Sequence, residues 1–258
     1  MGREILSLPA PPSDHQIAYG SDANQFGDLR LPPGKGPHAV AVVIHGGFWR
    51  AAFNREYAGH LAAALTARGL ATWNIEYRRI GQNGGGYPGT LLDVSAAVDY
   101  LAQLALAFYL NLSTVIAAGH SAGGHLALWL ASREKPKVRI SAAVSIAGVC
   151  DLRAGWETRM GTGVVEEFLG GSPAQYPERY RAASPSERLP MRVPTRLVHG
   201  EKDDVVPISQ AENFDIAARK AGDRIQLIRL PGVDHFDVMD PRADAGKRVI
   251  ETILSLRK

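Results

Sequence analysis

One serine of the chain stands where a buried strand would turn sharply into a helix. Residues Gly119-His120-Ser121-Ala122-Gly123 follow the uncharged, β-prone run 113–118, and the Gly-x-Ser-x-Gly spacing is that of a nucleophile elbow. Glycines flank the serine because a β-carbon at either position would crowd the turn that exposes the serine oxygen. The pattern predicts that Ser121 is a nucleophile.

Candidate partners for this serine lie later in the chain. A serine hydroxyl is a weak nucleophile at neutral pH, so it needs a base, and the base needs a carboxylate to orient it. His235 follows the last β-prone run, and Asp203 lies in the loop after the run that ends at His199. We predict that His235 takes the proton of Ser121 and that Asp203 holds the imidazole of His235. Asp204 is the competing candidate for the acid.

A glycine-containing motif could supply the third element of such chemistry. Attack on a carbonyl creates an oxyanion, which preorganised backbone amides stabilise without reorganising. Residues 45–49, His-Gly-Gly-Phe-Trp, follow a strand candidate, and the glycines allow the backbone to approach a substrate closely. We assign the oxyanion donors to the amides of Gly46, Gly47 and Ala122. The amide of Phe48 is the alternative to one of the glycine amides.

The remaining histidines of these motifs are interpreted as structural. His125 is expected to pack on the helix after the nucleophile, and His199 to support the acid loop. His45 and His120 are expected to organise their own turns. We predict no metal site, because the chain has no His-Glu-x-x-His motif and no clustered Cys/His spacing.

The elements that must position these residues follow a regular alternation. β-prone runs alternate with helical patterns along most of the chain, which predicts a mostly parallel central sheet flanked by helices. Prolines among the first 35 residues indicate one or two antiparallel edge strands. The strand candidates are 39–44, 71–77, 113–118, 140–148, 195–199 and 225–230, and the helix candidates are 55–69, 88–108, 121–133, 208–221 and 243–257.

Residues 151–190 interrupt this alternation. In this stretch Trp156, Met160, Phe168 and Tyr176 are interspersed among glycines and prolines. Two interpretations remain open. The segment folds over the serine as a small cap that shapes the substrate pocket, or its helices pack as an ordinary crossover between two strands.

The composition fits one α/β domain over residues 1–258. With 258 residues and 45% hydrophobic content, the chain can bury a large core. The net charge of +3 comes from 29 basic and 26 acidic residues that are scattered along the chain, so we expect no nucleic-acid partner. Cys150 is the only cysteine, forms no intrachain disulfide, and is expected in the core.

The N-terminal residues and the apolar runs indicate where in the cell the protein is expected. Residues 1–6 lack the apolar segment of about 7–15 residues that a signal peptide contains, and no later stretch is expected to reach the ~18 apolar residues of a membrane span. We therefore expect a soluble, cytoplasmic protein without a membrane partner. The sequence leaves the oligomeric state open.

Three motifs together resemble those of the α/β-hydrolase superfamily, over nearly the full length of the chain. They are residues 45–49, 119–126 and 233–236. Within the superfamily the chain is similar to the small esterases and kynurenine formamidases that have His-Gly-Gly-aromatic-Trp. It departs from the triple-glycine motif of the hormone-sensitive-lipase group, because Phe48 occupies the third position. The resemblance implies an α/β-hydrolase fold, with Ser, Asp and His in that order along the chain.

The resemblance also bears on the acid and on the reaction. It favours Asp203 over Asp204, because the spacing of Asp203 from His199-Gly200 and to Val206-Pro207 is similar to that of the acid loop in this superfamily. It implies hydrolysis of an ester or an activated amide through an acyl-enzyme, without a cofactor. The predicted function is a carboxylesterase acting on short-chain or aromatic acyl esters, and the partner is a small-molecule ester or formamide substrate.

Two alternatives stay open. The first is an arylformamidase acting on N-formyl-kynurenine, whose specificity would lie in contacts with the aromatic leaving group. The second is a non-catalytic ligand-binding protein of the same fold, against which the presence of Ser121, His235 and an acidic partner argues. The candidates for the substrate pocket are Phe48, Trp49, Tyr87, Trp156 and Phe168.

Overall fold

One mostly parallel sheet forms the centre of the molecule. The computed structural model describes residues 2–257, and within them eight strands join this sheet. The strands are β1 (His15–Ala18), β2 (Phe26–Arg30), β3 (His38–Ile44), β4 (Ala71–Ile75), β5 (Leu110–His120), β6 (Ala142–Ile146), β7 (Thr195–Gly200) and β8 (Ile225–Leu230). Their order is β1-β2-β4-β3-β5-β6-β7-β8; β1 and β2 run antiparallel to their neighbours and all other pairs are parallel. The predicted parallel sheet with antiparallel N-terminal edge strands is confirmed.

Helices cover both faces of this sheet. Within the described residues they are α1 (Ala58–Ala67), α2 (Gly89–Asp99), α3 (Leu101–Phe108), α4 (Ala122–Ala131), α5 (Leu152–Glu157), α6 (Met160–Leu169), α7 (Pro177–Ala183), α8 (Ser209–Lys220) and α9 (Asp244–Leu254). Short 3-10 turns occupy Gly2–Leu6, Pro185–Arg188 and Asp237–Met239. The helix candidates are confirmed, except that the candidate 88–108 is divided into α2 and α3 at Tyr100.

The side chains of β3 show why both faces must be covered. Val40, Val42 and Ile44 lie in one buried cluster with apolar residues of α2, α4 and α6. Ala41 and Val43 lie in a second cluster, with apolar residues of α1 and α9. All residues of β4 and β6 are buried as well. A parallel sheet covered on both faces has near-continuous apolar strands, so the runs that predicted strands also predicted burial.

The parallel strands bring the motifs to one edge of the sheet. β3 ends directly before the 45–49 motif, and β5 ends directly before Ser121. β7 ends before the loop that contains Asp203, and β8 ends before the loop that contains His235. In open α/β sheets the carboxyl ends of the strands form the ligand-binding edge, so the strand order gathers the candidate residues there.

The segment 151–190 connects β6 to β7 and forms α5, α6, α7 and a 3-10 turn. Val164, Phe168 and Tyr180 are buried in the same core cluster as one face of the sheet. Helices of a detached cap would not share the core of the sheet in this way. The packing therefore favours the ordinary crossover interpretation.

One helical stretch does reach the length of a membrane span, contrary to our expectation. Within the described residues, Gly89–Phe108 is 20 residues long and apolar enough to pass that test by length and composition. Leu91, Val94, Val98 and Leu101 pack in the core cluster on one face of the sheet. In this structure α2 and α3 therefore pack as a pair of core helices.

Candidate active site

Ser121 lies at a strained turn between β5 and α4. Its φ of 56° and ψ of −119° fall in a region that residues other than glycine rarely adopt. The amide of Ser121 donates to the carbonyl oxygen of Ile146, 2.8 Å away, and this bond anchors the turn to β6. The flanking glycines are needed for space: a Cβ on Gly119 would lie 2.0 Å from the carbonyl oxygen of Gly123, and one on Gly123 would lie 2.1 Å from that of Ile44. The local sequence thus forms the sharp turn of an elbow.

His235 and Asp203 form a buried, hydrogen-bonded pair. Nδ1 of His235 is 2.7 Å from Oδ2 of Asp203, and the two side chains are 2% and 0% exposed. The other carboxylate oxygen accepts hydrogen bonds from the amides of Val205 and Val206, at 2.9 and 2.8 Å. The side chain of Asp204, by contrast, is 69% exposed. The geometry favours Asp203 as the acid.

The partners of Asp203 keep it ionised. Burial by itself would raise the pKa of Asp203, but hydrogen bonds from His199 and His235 outweigh burial and hold that pKa well below its usual range. Because the carboxylate can only accept, Nδ1 of His235 is the donor in this hydrogen bond, and Nε2 is the ring nitrogen that faces away from Asp203 and can take a proton. The pair can therefore act as an oriented base.

The imidazole of His235 lies beside the elbow. The ring centroids of His235 and His120, the residue before Ser121, are 4.6 Å apart. Nε2 of His120 is 2.8 Å from the carbonyl oxygen of His235. The structure thus brings the nucleophile, base and acid candidates to the same edge of the sheet.

The assignment of Gly46 as an oxyanion donor is wrong. Its amide donates to the hydroxyl oxygen of Tyr57, 2.6 Å away, and so is occupied within the protein. The loop is nevertheless close to the nucleophile, because a Cβ on Gly46 would lie 2.8 Å from Cβ of Ser121. Within residues 2–257, the amides of Gly47 and Phe48 donate to no protein acceptor. The amide of Phe48, the alternative to a glycine amide, is thus unoccupied where that of Gly46 is not.

Two free amides and a helix N-terminus remain as donor candidates. Gly47 and Phe48 have φ angles of 103° and 53°, so both lie in the left-handed region that favours glycine. Ala122 begins α4, and the first amides of a helix have no intrahelical acceptor. Of the predicted oxyanion donors, Gly47 and Ala122 thus keep free amides.

His45 holds the start of the same loop. Its Nδ1 donates to the carbonyl oxygen of Gly46 at 2.8 Å, and its Nε2 lies 2.9 Å from Oε1 of Glu76. The ring of His45 also stacks on Tyr77, with centroids 4.4 Å apart. Burial by itself would raise the pKa of Glu76, but its polar neighbours, His45 foremost, outweigh burial and lower that pKa. Sequence reasoning missed Tyr57, Glu76 and Tyr77, because no local motif surrounds them.

Two of the predicted pocket residues belong to the core. Trp49 and Phe168 are 0% and 1% exposed, and their rings stack with centroids 4.6 Å apart. Nε1 of Trp49 donates to Nδ1 of His125 at 3.2 Å. The prediction that Trp49 and Phe168 line the pocket is therefore wrong, since water cannot reach them and they support the loop from behind.

The other predicted pocket residues are partly exposed. They are Phe48, Tyr87 and Trp156, and the indole of Trp156 donates to Glu166 at 3.0 Å. Phe48 lies against α6, since a Cβ on Gly161 would be 3.1 Å from its ring. Phe53, which sequence reasoning missed, is 38% exposed and lies against the 45–49 loop, since a Cβ on Gly47 would clash with its side chain. Of these aromatic side chains, those of Phe48 and Phe53 belong to or contact the part of the chain that has the free amides.

A broad cleft elsewhere on the surface is separate from these residues. It has a volume of about 940 Å³ and lies at the end of α4 opposite to Ser121, with Arg133, Arg139 and Arg188 among its lining residues. None of the candidate site residues lines it.

The sheet, with its elbow after β5 and its acid and base loops after β7 and β8, has the α/β-hydrolase fold. A truncated carbohydrate esterase from gut microbiota shares this fold, with a TM-score of 0.82 and 20% identity; the match covers 96% of this chain and 97% of that chain. Within this class the chain belongs to the BD-FAE family, whose model matches residues 28–217.

Two curated relatives match most of the chain. Esterase LipC of Mycobacterium tuberculosis is 29% identical over 249 residues, which cover 87% of this chain and 60% of LipC. Kynurenine formamidase of Danio rerio is 22% identical over 253 residues, which cover 93% of this chain and 80% of the formamidase. The chain therefore spans about three fifths of the length of LipC. The resemblance to esterases and kynurenine formamidases that the motifs indicated is confirmed.

Proposed function

We propose that this protein is a serine hydrolase that cleaves carboxylic esters through an acyl-enzyme. The observation that carries the proposal is the buried pair of His235 and Asp203, 2.7 Å apart, beside the strained turn at Ser121. The similarity to esterase LipC supports it. In this proposal Ser121 is the nucleophile, His235 is the general base, and Asp203 orients His235.

The reaction proceeds in two stages. Nε2 of His235 takes the proton of Ser121 while Oγ attacks the acyl carbon, and the oxyanion accepts hydrogen bonds from the amides of Gly47, Phe48 and Ala122. As the carbon–oxygen bond of the ester breaks, the leaving alcohol takes the proton from His235. A water molecule, deprotonated by the same imidazole, then attacks the acyl carbon. The bond from that carbon to Oγ breaks, His235 returns the proton to Ser121, and the acid is released.

The substrates that we propose are short-chain or aromatic acyl esters. The core position of Trp49 and Phe168 leaves Phe48 and Phe53 as the accessible aromatic side chains beside the free amides, and Trp156 is partly exposed on α5. Aromatic surfaces of this kind bind small apolar groups with little conformational entropy to lose. The substrate is thus a small molecule with an apolar acyl or alcohol group.

The second candidate is an arylformamidase acting on N-formyl-kynurenine. The observation in its favour is the similarity to kynurenine formamidase of Danio rerio over 93% of this chain. In that case the acyl group is a formyl, and the aromatic side chains at the site would contact the leaving group. The same Ser121, His235 and Asp203 would perform both reactions.

The test compares kcat/KM for a short-chain aryl ester and for N-formyl-kynurenine on one preparation, with Ser121→Ala as the blank. Ester cleavage with negligible formamide turnover supports the esterase, and a strong preference for the formamide supports the arylformamidase. Labelling with a fluorophosphonate probe provides the matching chemical test. A protein that binds ligand without catalysis would not react at Ser121, and this result would contradict both proposals.

A further inference from the structure

A continuous chain of hydrogen bonds runs behind the candidate site. The amide of Gly46 is 2.6 Å from Oη of Tyr57, and the same oxygen is 2.9 Å from Nδ1 of His120. Nε2 of His120 is 2.8 Å from the carbonyl oxygen of His235. These hydrogen bonds therefore join three parts of the protein: the loop 45–49, called here the oxyanion loop; His120, the residue before the nucleophile; and the loop after β8 that contains His235.

The position of every proton in this chain is determined by its chemistry. The carbonyl oxygen of His235 can only accept, so Nε2 of His120 carries the hydrogen. Burial, together with the nearby His235, lowers the pKa of His120 to about 3, so the ring is neutral and Nδ1 accepts. Tyr57 must then donate to Nδ1, and burial raises its pKa far enough to keep that proton in place. The phenol oxygen accepts in turn from Gly46.

Gly46 is held on both sides, through the two consecutive peptide groups that meet at its Cα. Tyr57 fixes the amide of Gly46, and His45 fixes the carbonyl oxygen of Gly46 at 2.8 Å. In a planar trans peptide the carbonyl and the following N–H point in opposite directions. With its carbonyl directed toward His45, the Gly46–Gly47 peptide directs the amide of Gly47 to the opposite side, where that amide meets no protein acceptor within the described residues. Tyr57 fixes the preceding peptide, on which this orientation is built.

We infer that Tyr57 and His120 are positioning residues that preorganise the oxyanion loop against the nucleophile and the base. This inference rests on the proposed serine hydrolase function. Neither side chain touches the substrate: Tyr57 and His120 are 5% and 1% exposed, and their polar atoms are occupied within the protein. Their effect is expected in the transition state, when the oxyanion forms, and not in ground-state binding.

The main test is Tyr57→Phe, which removes both hydrogen bonds of the phenol oxygen and keeps the ring. Active sites are titrated with a fluorophosphonate, so that kcat refers to reactive molecules only. We expect kcat to fall about ten- to a hundredfold, less than the loss of an oxyanion donor itself, with KM nearly unchanged. The affinity for a phenylboronic acid, which forms a tetrahedral adduct on serine, should fall in parallel with kcat/KM.

Tyr180→Phe is the matched control. Tyr180 is also buried, and its hydroxyl donates to the carbonyl oxygen of Gly171 at 3.1 Å. This hydrogen bond is not part of the series that links Gly46 to His235. Tyr180→Phe removes one buried hydrogen bond, against two in Tyr57→Phe, and should keep the kcat of the wild type per titrated site. A second pair of variants tests His120. His120→Ala removes its hydrogen bond to the carbonyl oxygen of His235, whereas His120→Gln retains a donor near the position of Nε2 and should therefore keep more activity than His120→Ala.

The outcomes separate this inference from the proposed function. Wild type that neither cleaves esters nor reacts at Ser121 overturns the proposed function. An active wild type with unchanged kcat and boronate affinity in Tyr57→Phe overturns the inference alone. If Tyr57→Phe does not fold, the ¹⁵N chemical shifts of His120 in the wild type provide the test. A ring with Nε2 protonated and Nδ1 unprotonated across neutral pH supports the inferred hydrogen bonds. A ring that titrates in this range contradicts them.

Discussion

Nε2 of His199 lies 3.2 Å from Oδ2 of Asp203 and 2.9 Å from the carbonyl oxygen of Val206. One imidazole N–H is thus shared between the carboxylate and the main chain of the loop that contains it. His199 belongs to β7, and both acceptors lie in the loop after β7, so the contact ties the acid loop to the sheet. With the hydrogen bond to His235 added, the carboxylate is held in one orientation.

Asp203→Asn should lower kcat by about 10⁴-fold. An amide in place of the carboxylate can present an N–H to His235, which favours the tautomer with its proton on the wrong nitrogen. Asp204→Asn makes the same change one residue further along, at a side chain that is 69% exposed, and should keep kcat close to that of the wild type. Steady-state kinetics on an aryl ester measures both, and the reverse ranking would overturn the choice of acid.

The stability of the protein should fall in mild acid because two buried histidines stay uncharged. Burial lowers the pKa of His120 to about 3 and that of His125 to about 4, from 6.5 for the free side chain. As the pH falls below about 6.5, the unfolded chain binds protons that the folded chain does not. The stabilisation is therefore complete above this pH and is lost progressively toward pH 4 and below.

Urea unfolding at a series of pH values measures this effect. His125→Gln should reduce the slope of the unfolding free energy against pH by about 1.4 kcal/mol per pH unit, which corresponds to one proton. A variant with the slope of the wild type would show that His125 is already protonated in the folded protein, or that it does not titrate differently on unfolding.

Much of the fold and of the site could be predicted because the relevant signals are local. β4 and β6 are buried throughout, and their uncharged, β-prone sequences are visible without knowledge of their neighbours. Ser121, Asp203 and His235 each follow the end of a strand. Parallel strands bring such positions to one edge of the sheet, so their order along the chain was enough to group them.

The wrong predictions concern contacts between distant parts of the chain. Gly46 has the residue type expected of an oxyanion donor, but its amide is taken by Tyr57, whose place depends on how the chain enters α1. Trp49 and Phe168 are large aromatic residues, and their types are the same in a pocket wall and in a core. Only the packing of α6 against the 45–49 loop shows that they stack on each other away from water.

Gly46→Ala should separate the oxyanion loop from the elbow. The added Cβ would lie 2.7 Å from the carbonyl oxygen of His120 and 2.8 Å from Cβ of Ser121, distances at which the backbone must move. We expect kcat/KM to fall by about 10²-fold or more, as when an oxyanion donor is lost. The comparison uses kcat/KM per titrated active site.

Gly59→Ala provides the control for that substitution. Its Cβ would make an ordinary contact 3.5 Å from Nη2 of Arg30, and alanine replaces glycine within α1. This variant should keep its turnover and gain roughly 0.5–1 kcal/mol of stability. Full activity in Gly46→Ala would contradict the close approach of the loop to Ser121.

Phe168→Ala and Trp156→Ala should separate the core role of segment 151–190 from its role at the site. Phe168 is 1% exposed, so its truncation should cost roughly 3–5 kcal/mol of unfolding free energy. Trp156 is partly exposed, so its truncation should cost much less and should instead change the ratio of kcat/KM between short-chain and aryl esters. Urea unfolding and the two-substrate ratio test both expectations. If Phe168→Ala left stability intact and changed only the ratio, the segment would be a cap, because its helices would then contribute to the substrate pocket and not to the core.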